Sequence, residues 1–230
     1  TVGKVNSQVG GLFLYQEGIV NNTYSSRYQF NFGADMAVKK WLNVGGEIRY
    51  SNNKASAFDE GAFSGPLATA LSKDPITPVY DLVTGDWNRT GLTDLPSPAK
   101  GIDLSQYNNN SWDRYVGTLK SEIRFLDNLK LNSQITLDQR RQSGSFYTPV
   151  TRVVEGRNLD SNFFPQLSSN ESINISTLTE QERNLRVLQN SNYLTYNTSI
   201  NNHSINAMIG TEAFQRLDQF NELSIQDVPE

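Results

Sequence analysis

Apolar and polar residues alternate along several long stretches of the chain. In residues 27–38 every second position is apolar or small, beginning with Tyr28, Phe30 and Phe32, and the positions between them are mostly polar. After a short break the same alternation continues through residues 42–51. Because successive side chains of a β-strand point to opposite faces, this pattern predicts an antiparallel hairpin with one apolar and one polar face.

The alternation recurs in two more hairpins and in one strand near the start of the chain. The hairpins cover residues 115–125 with 129–138, and residues 192–200 with 205–211; the single strand is Val5 to Glu17. Together these segments predict an all-β fold with about seven antiparallel strands of about ten or more residues. Strands of soluble proteins most often have about 5–6 residues, so the predicted strands are unusually long.

The connections between the predicted strands fall into two classes. Tight turns at residues 39–41, 127–128 and 201–203 alternate with long connections at about 52–112 and 142–183. A strand that crosses a bilayer needs about 9–11 residues, and membrane barrels have tight turns on one side and longer loops on the other. The chain therefore predicts part of a large transmembrane β-barrel with long extracellular loops. The alternation itself is also compatible with a soluble β-sandwich.

Three local signals add detail to the strands and connections. Residues 58–73 carry Phe63 and Leu67 at helical spacing, which predicts a short helix. Thr179 and Glu182 have the spacing of a capping box, which fits either a helical turn or the approach to the next strand. Arg140–Arg141 is interpreted as the end of a strand.

Aromatic residues of the long connections are the candidate contact residues of this chain. The side chains that we expect to touch a ligand or partner are Tyr80, Trp87, Tyr107 and Trp112. Aromatic side chains are enriched at interfaces. The alternative is that they pack the connections against one another.

The composition excludes several classes of function. The 230 residues include no cysteine and one histidine, His203. A disulfide scaffold, a thiol nucleophile and a zinc site built from cysteine or several histidines are therefore excluded. The net charge of -4 offers no general basic surface for nucleic acid. No catalytic constellation or phosphate-binding loop is present, so we expect neither an enzyme nor a cofactor.

The hydrophobic fraction of 37% is low, as expected for strands with only one apolar face.

Short strings spread over most of the chain occur in an order that points to a family. The strings are Tyr15–Val20, Arg27–Tyr28, Trp41–Gly45, Tyr50–Ser51, Ala70–Leu71, Pro75, Pro78–Asp81, Asn192–Asn197 and His203–Glu212. As a series they resemble the SusC/RagA-like TonB-dependent outer-membrane transporters of Bacteroidetes-type bacteria. Members of that family are several times longer than this chain. We therefore expect residues 1–230 to be part of one β-barrel domain, with the plug domain and the barrel ends absent.

The resemblance implies a function and a set of partners. It implies import of glycan or peptide nutrients across the outer membrane of a Gram-negative, Bacteroidetes-like bacterium. The implied partners are a SusD-like surface lipoprotein, the TonB system through the missing N-terminal part, and outer-membrane lipid. Two alternatives stay open: a SusC-like barrel that is a structural subunit of a larger outer-membrane complex, and a soluble β-sandwich carbohydrate-binding module.

Overall fold

The computed structural model describes residues 3–56, 65–73, 75, 78–80, 85, 87–88, 97–154 and 171–228. These residues form long strands joined by short helices and minor strands. In chain order the elements are β1 (Val5–Glu17), β2 (Tyr24–Lys39), β3 (Leu42–Ser56), α1 (Pro66–Ser72), β4 (Trp87–Asn88), α2 (Pro98–Leu104), a 3-10 turn (Ser105–Tyr107), β5 (Asn109–Leu126), β6 (Leu129–Thr148), β7 (Thr151–Val154), β8 (Glu171–Asn174), β9 (Thr177–Ile200) and β10 (His203–Gln226).

Seven of these strands form one open antiparallel sheet. Its order is β1-β2-β3-β5-β6-β9-β10, so strands that follow one another along the chain are also neighbours in the sheet. A second sheet contains only β4, β7 and β8. The predicted all-β class and the seven long antiparallel strands are confirmed.

Several strands are longer than the alternation predicted. β9 and β10 have 24 residues each, and the capping-box residue Thr179 pairs with Phe146 on one side and Ser224 on the other. This segment is therefore strand, because ladders on both sides hold it extended. The long connections consequently run from 57 to 108 and from 149 to 176, and are shorter than the expected 52–112 and 142–183.

The two short helices lie in the first long connection. The helix predicted within residues 58–73 is confirmed as α1, which begins at Pro66; Phe63 lies outside the described residues. Helix α2 was not predicted. It begins after Ser97, whose side chain accepts a hydrogen bond from the backbone N–H of Lys100, as an N-cap does. No helix in the described part of the chain is long and apolar enough to cross a membrane.

Within the described part of the chain, the sheet is a single layer without a hydrophobic core. No described element packs across either face of it as a second layer, and the described side chains less than 2% exposed are those of Ser105 and Ser176. The accessible surface is 15951 Å², whereas a compact protein of this mass would expose about 10,500 Å². The alternative of a β-sandwich, which needs two packed sheets, does not describe this fold.

The two ends of the sheet carry different connections. Tight turns at residues 40–41, 127–128 and 201–202 lie at one end, the tight-turn end. Residues 18–23 and the two long connections lie at the other, the long-connection end. There the 3-10 turn is tied to the sheet, because the Ser56 hydroxyl donates to the backbone oxygen of Ser105 at 3.0 Å.

The strands are staggered in one direction across the sheet. The ladder that starts at Val5 in β1 passes through all seven strands to Thr211 in β10. The apolar positions of β10 begin at Ile205, which is six residues nearer the tight-turn end than Thr211. With about 3.4 Å per residue and about 4.8 Å between strands, this stagger corresponds to a tilt of about 35°, within the range of β-barrel strands.

Candidate functional site

One face of the sheet is a continuous apolar surface near the tight-turn end. Large side chains on it stay open, such as Leu119 at 66% and Ile209 at 71% exposure. We call this surface the apolar band; its residues include Val9, Phe13, Tyr28, Phe30, Phe32, Met36, Val44, Ile48, Tyr50, Tyr115, Leu119, Ile123, Leu131, Ile135, Leu137, Leu188, Leu194, Tyr196, Ile205 and Ile209. A patch of this extent is far larger than isolated surface apolar residues and requires an apolar environment or a partner.

Aromatic residues mark the edge of the apolar band that faces the long connections. The rings of Tyr50 and Tyr115 lie on neighbouring strands with centroids 4.9 Å apart. The Tyr50 hydroxyl donates to a carboxylate oxygen of Asp113 at 2.9 Å. Beyond this row the same face becomes polar, with Asn52 and Asp113 as ladder partners. These tyrosines therefore have an apolar ring side and a polar hydroxyl side, as in an interfacial aromatic belt.

The opposite, polar face carries a group of arginines near the long-connection end. Five arginines of this face line a groove of about 530 Å³, together with Arg141 of the other face, and the groove has a size typical of small-molecule sites. We call them the arginine cluster: Arg27, Arg114, Arg140, Arg183 and Arg216. The expectation that Arg140–Arg141 ends a strand is wrong, because both lie inside β6. Their side chains alternate, so Arg140 joins the cluster and Arg141 pairs with Glu182 on the other face.

Two arginines of the cluster share the carboxylate of Asp138. Arg114 of β5 donates through Nε and Nη2 at 3.0 and 2.8 Å. Arg140, two residues along β6 from Asp138, donates through Nη2 at 2.9 Å. Arg114 and Arg140 are directly opposite in the ladder, a placement that is unfavourable for like charges. The shared carboxylate offsets this repulsion and leaves one positive charge uncompensated.

The same arrangement is repeated on β9 and β10 around Asp218. Arg183 donates to it through Nε and Nη2 at 2.9 and 2.7 Å, and Arg216 donates through Nη2 at 3.0 Å. The hydrogen bonds from Arg183, and next those from Arg216, hold the pKa of the Asp218 carboxyl well below its ordinary value. Asp218 therefore stays ionised while two guanidinium groups surround it.

Trp112 lies in the row of side chains that joins the two ends of the cluster. Across the sheet this row is Arg27, Asn53, Trp112, Gln142 and Arg183, one residue from each of five neighbouring strands. Arg27 donates to the neutral amide oxygen of Gln29 at 3.1 Å. The row thus places an indole between two amides and puts a guanidinium beyond each amide.

The structure distributes the other candidate aromatic residues over two further places. Tyr80 and Trp87 pair with each other, with ring centroids 4.9 Å apart. Tyr107 meets Tyr147 edge to face at 5.7 Å. Trp112 lies within strand β5 instead of a loop. Three of the four candidates thus pack against a neighbouring ring, while Trp112 borders the groove.

Cations on the polar face nearer the tight-turn end lie close to carboxylates. Lys120 pairs with Asp35 at 2.9 Å, and Arg124 pairs with Glu122 at 2.8 Å. Lys130 is also within 4.0 Å of Glu122. No group of three or more metal-binding side chains occurs among the described residues. Sequence reasoning missed the arginine cluster, although Arg27, Arg114 and Arg140 all occupy polar-face positions of the alternation.

The sheet is similar in fold to part of a peptide transporter. A structure of the RagAB peptide transporter matches 96% of this chain with a TM-score of 0.67 and 14% identity. The RagAB peptide importer matches in its closed-closed state with a TM-score of 0.68 and 16% identity, and in its open-open state with 0.64 and 13%. This chain covers 24% of each of those chains.

These similarities concern the fold and the length of chain that shares it. Identities of 13–16% describe a shared backbone arrangement, and the chain spans about a quarter of the length of the transporters it matches. No protein-family model matches the sequence. No curated protein matches it either.

Proposed function

We propose that this chain is a wall segment of an outer-membrane β-barrel that belongs to a SusC/RagA-like TonB-dependent transporter importing peptide or glycan nutrients. The observation that carries the proposal is the apolar band on one face of a single-layered sheet whose other face is polar. Such a sheet is stable only when its two faces meet different surroundings. Lipid outside and a water-filled lumen inside supply that difference in a membrane barrel.

The length and edges of the sheet support this orientation. About 9–11 residues of each strand are needed to cross the bilayer, and the apolar band covers about that length from the tight-turn end. The remainder of β9 and β10 would extend beyond the membrane together with the long connections. Among the described strands, β1 and β10 form the two edges of the sheet and have no neighbour on their outer sides; further strands of a closed barrel would pair with them.

The proposal includes a location and partners. Residues 1–230 would belong to one β-barrel domain in the outer membrane of a Gram-negative, Bacteroidetes-like bacterium, in contact with lipid along the apolar band. A SusD-like surface lipoprotein would cover the long-connection end. The TonB system would act through a part of the protein outside this chain. The fold similarity to peptide transporters supports this assignment.

Site-directed spin labelling of neighbouring residues tests the orientation. This chain has no cysteine, so single cysteines are introduced at Leu119, in the apolar band, and at Thr118, its neighbour on the polar face. The full-length protein is labelled and reconstituted into lipid vesicles, and collisions with oxygen and with a water-soluble nickel chelate are measured. We expect the oxygen effect to dominate for Leu119→Cys and the nickel effect to dominate for Thr118→Cys. Equal nickel access at both sites would contradict the membrane-wall assignment.

A further inference from the structure

We propose that the arginine cluster binds the carboxylate groups of an acidic oligosaccharide, a chain of uronic acid sugars. This inference rests on the proposed function, because it needs the polar face to line the path of the imported molecule. It goes further by naming the chemical class of that molecule and the side chains that recognise it.

The cluster has a local surplus of positive charge. Five arginines of the groove lie on the polar face, and the carboxylates that accept hydrogen bonds from them are those of Asp138 and Asp218, each shared by two guanidinium groups. The groove lining also includes Arg141 and Asp113, which are ladder partners on the other face. The chain as a whole has a net charge of -4, so the surplus is a property of this place. A concave surface of one sign concentrates ligands of the opposite sign.

The guanidinium groups are accessible and held in place. The side chains of Arg114, Arg140, Arg183 and Arg216 are 49%, 50%, 50% and 57% exposed. Each guanidinium has five N–H donors, of which the shared aspartates take one or two with clear geometry. The aspartates thus orient the arginines and leave donors free for another carboxylate. Arginine presents these donors as a fork that matches a carboxylate.

The row through Trp112 favours a sugar over an acidic peptide. Asn53 and Gln142 flank the indole, and an amide both donates and accepts hydrogen bonds, as a sugar hydroxyl does. The flat indole offers an apolar face to a sugar ring. Neighbouring strands are about 4.8 Å apart, close to the length of one sugar ring. Arg27 and Arg183 would then meet carboxylates at the two ends of a short run of sugars.

Calorimetry on the purified full-length protein in detergent tests the proposal. The probes are an oligogalacturonate, its fully methyl-esterified form, which has the same sugars without charge, and an oligoglutamate peptide. We expect the oligogalacturonate to bind, with an affinity that falls as salt is raised, and the ester to bind at least tenfold more weakly. Arg140→Gln and Arg183→Gln should each weaken oligogalacturonate binding about tenfold.

A matched control and a conservative variant complete the design. Arg124→Gln removes a positive charge from the same face near the tight-turn end, outside the arginine cluster, and should leave the affinity unchanged. Arg140→Lys keeps the charge but loses the fork, so its affinity should fall between those of the parent protein and Arg140→Gln. Heat-modifiable migration in gels shows that each variant is folded before it is titrated.

Three results would overturn the proposal. They are equal binding of the acid and the ester, an equal effect of Arg124→Gln and Arg140→Gln, and arginine-dependent binding of oligoglutamate without binding of oligogalacturonate. The last result would assign the cluster to acidic peptides. A failure of the binding test together with the expected labelling at Leu119 and Thr118 refutes only the ligand class, whereas a failed labelling test refutes the proposed function itself.

Discussion

The two faces of the seven-stranded sheet use the same backbone in opposite ways. On the apolar band, Leu119 is 66% exposed and Ile209 is 71% exposed, and no described element covers them. On the polar face, arginines and carboxylates are joined by hydrogen bonds that cross from strand to strand. Neighbouring residues of one strand therefore face different surroundings. No core holds the described residues of the sheet together, so this fold depends on its environment.

The polar face itself differs between its two ends. Near the tight turns Lys120 and Arg124 each pair with a carboxylate of a residue close by. Near the long connections two carboxylates serve four arginines, and Arg27 faces a neutral amide. The first region has three cations for two carboxylates, Asp35 and Glu122, and the second has five guanidinium groups for two. The excess of positive charge is therefore larger near the long connections.

The largest expected effect comes from placing a charge on the apolar band. Leu119→Arg in the full-length protein should destabilise the folded barrel by about 2–4 kcal/mol, because the guanidinium would face lipid. Thr118→Arg, one residue away on the polar face, should change the stability by less than about 1 kcal/mol, as is usual for surface substitutions. Denaturant unfolding in lipid vesicles measures both values. Equal destabilisation by the two variants would remove the distinction between the faces.

A smaller effect is expected at the aromatic edge of the apolar band. Tyr50 and Tyr115 are in ring contact at 4.9 Å, and aromatic pairs contribute about 0.5–1.5 kcal/mol beyond the burial of area. A double-mutant cycle with Tyr50→Leu and Tyr115→Leu in the same unfolding assay should show a coupling energy in this range, because each variant removes one ring of the pair. Tyr50→Phe keeps the ring and removes the hydroxyl that donates to Asp113. It therefore separates ring contact from hydrogen bonding, and a larger loss for Tyr50→Phe than for Tyr115→Leu would contradict ring packing as the main contribution.

The smallest expected effect concerns acid titration of the polar face. The pKa of Asp218 is held below its ordinary value by Arg183 and Arg216, and Asp218 lies in the part of β10 beyond the apolar band. A lowered pKa means that the stabilisation is present above the ordinary pKa of aspartate and is lost as pH falls through the lowered value. The stability difference between the parent protein and Asp218→Asn should therefore persist below pH 3.8, the ordinary value.

Removal of one arginine provides the comparison for that titration. In Arg183→Gln the first of the two causes is absent, so the pKa of Asp218 should move back toward its ordinary value. The stability difference between Arg183→Gln and the double variant with Asp218→Asn should then disappear at a higher pH than in the parent protein. Unfolding midpoints measured across the acid range give both curves, and identical curves would show that Arg183 does not hold the carboxylate ionised.

The alternation of residues determined the strands, their two faces and the tight turns. Val5–Glu17 was predicted as a strand with the bounds that the structure has, and the turn at residues 127–128 lies where the alternation breaks. These features are local, because the side-chain period of a strand can be recognised from a few consecutive residues. The capping-box spacing of Thr179 and Glu182 gave no such guidance, since ladders on both sides override a weak helical signal.

Only the tertiary structure decided which side chains meet. Arg114 and Asp138 are 24 residues apart, and Arg183 and Asp218 are 35 apart; each pair forms because the ladder register places the two residues diagonally on one face. Trp112 and Asn53 are ladder partners although a long connection separates them in the chain, and the length of that connection does not determine the register. A shift of one residue would turn every side chain of a strand to the other face. The arginine cluster therefore follows from register, which is set by the hydrogen-bonded sheet as a whole.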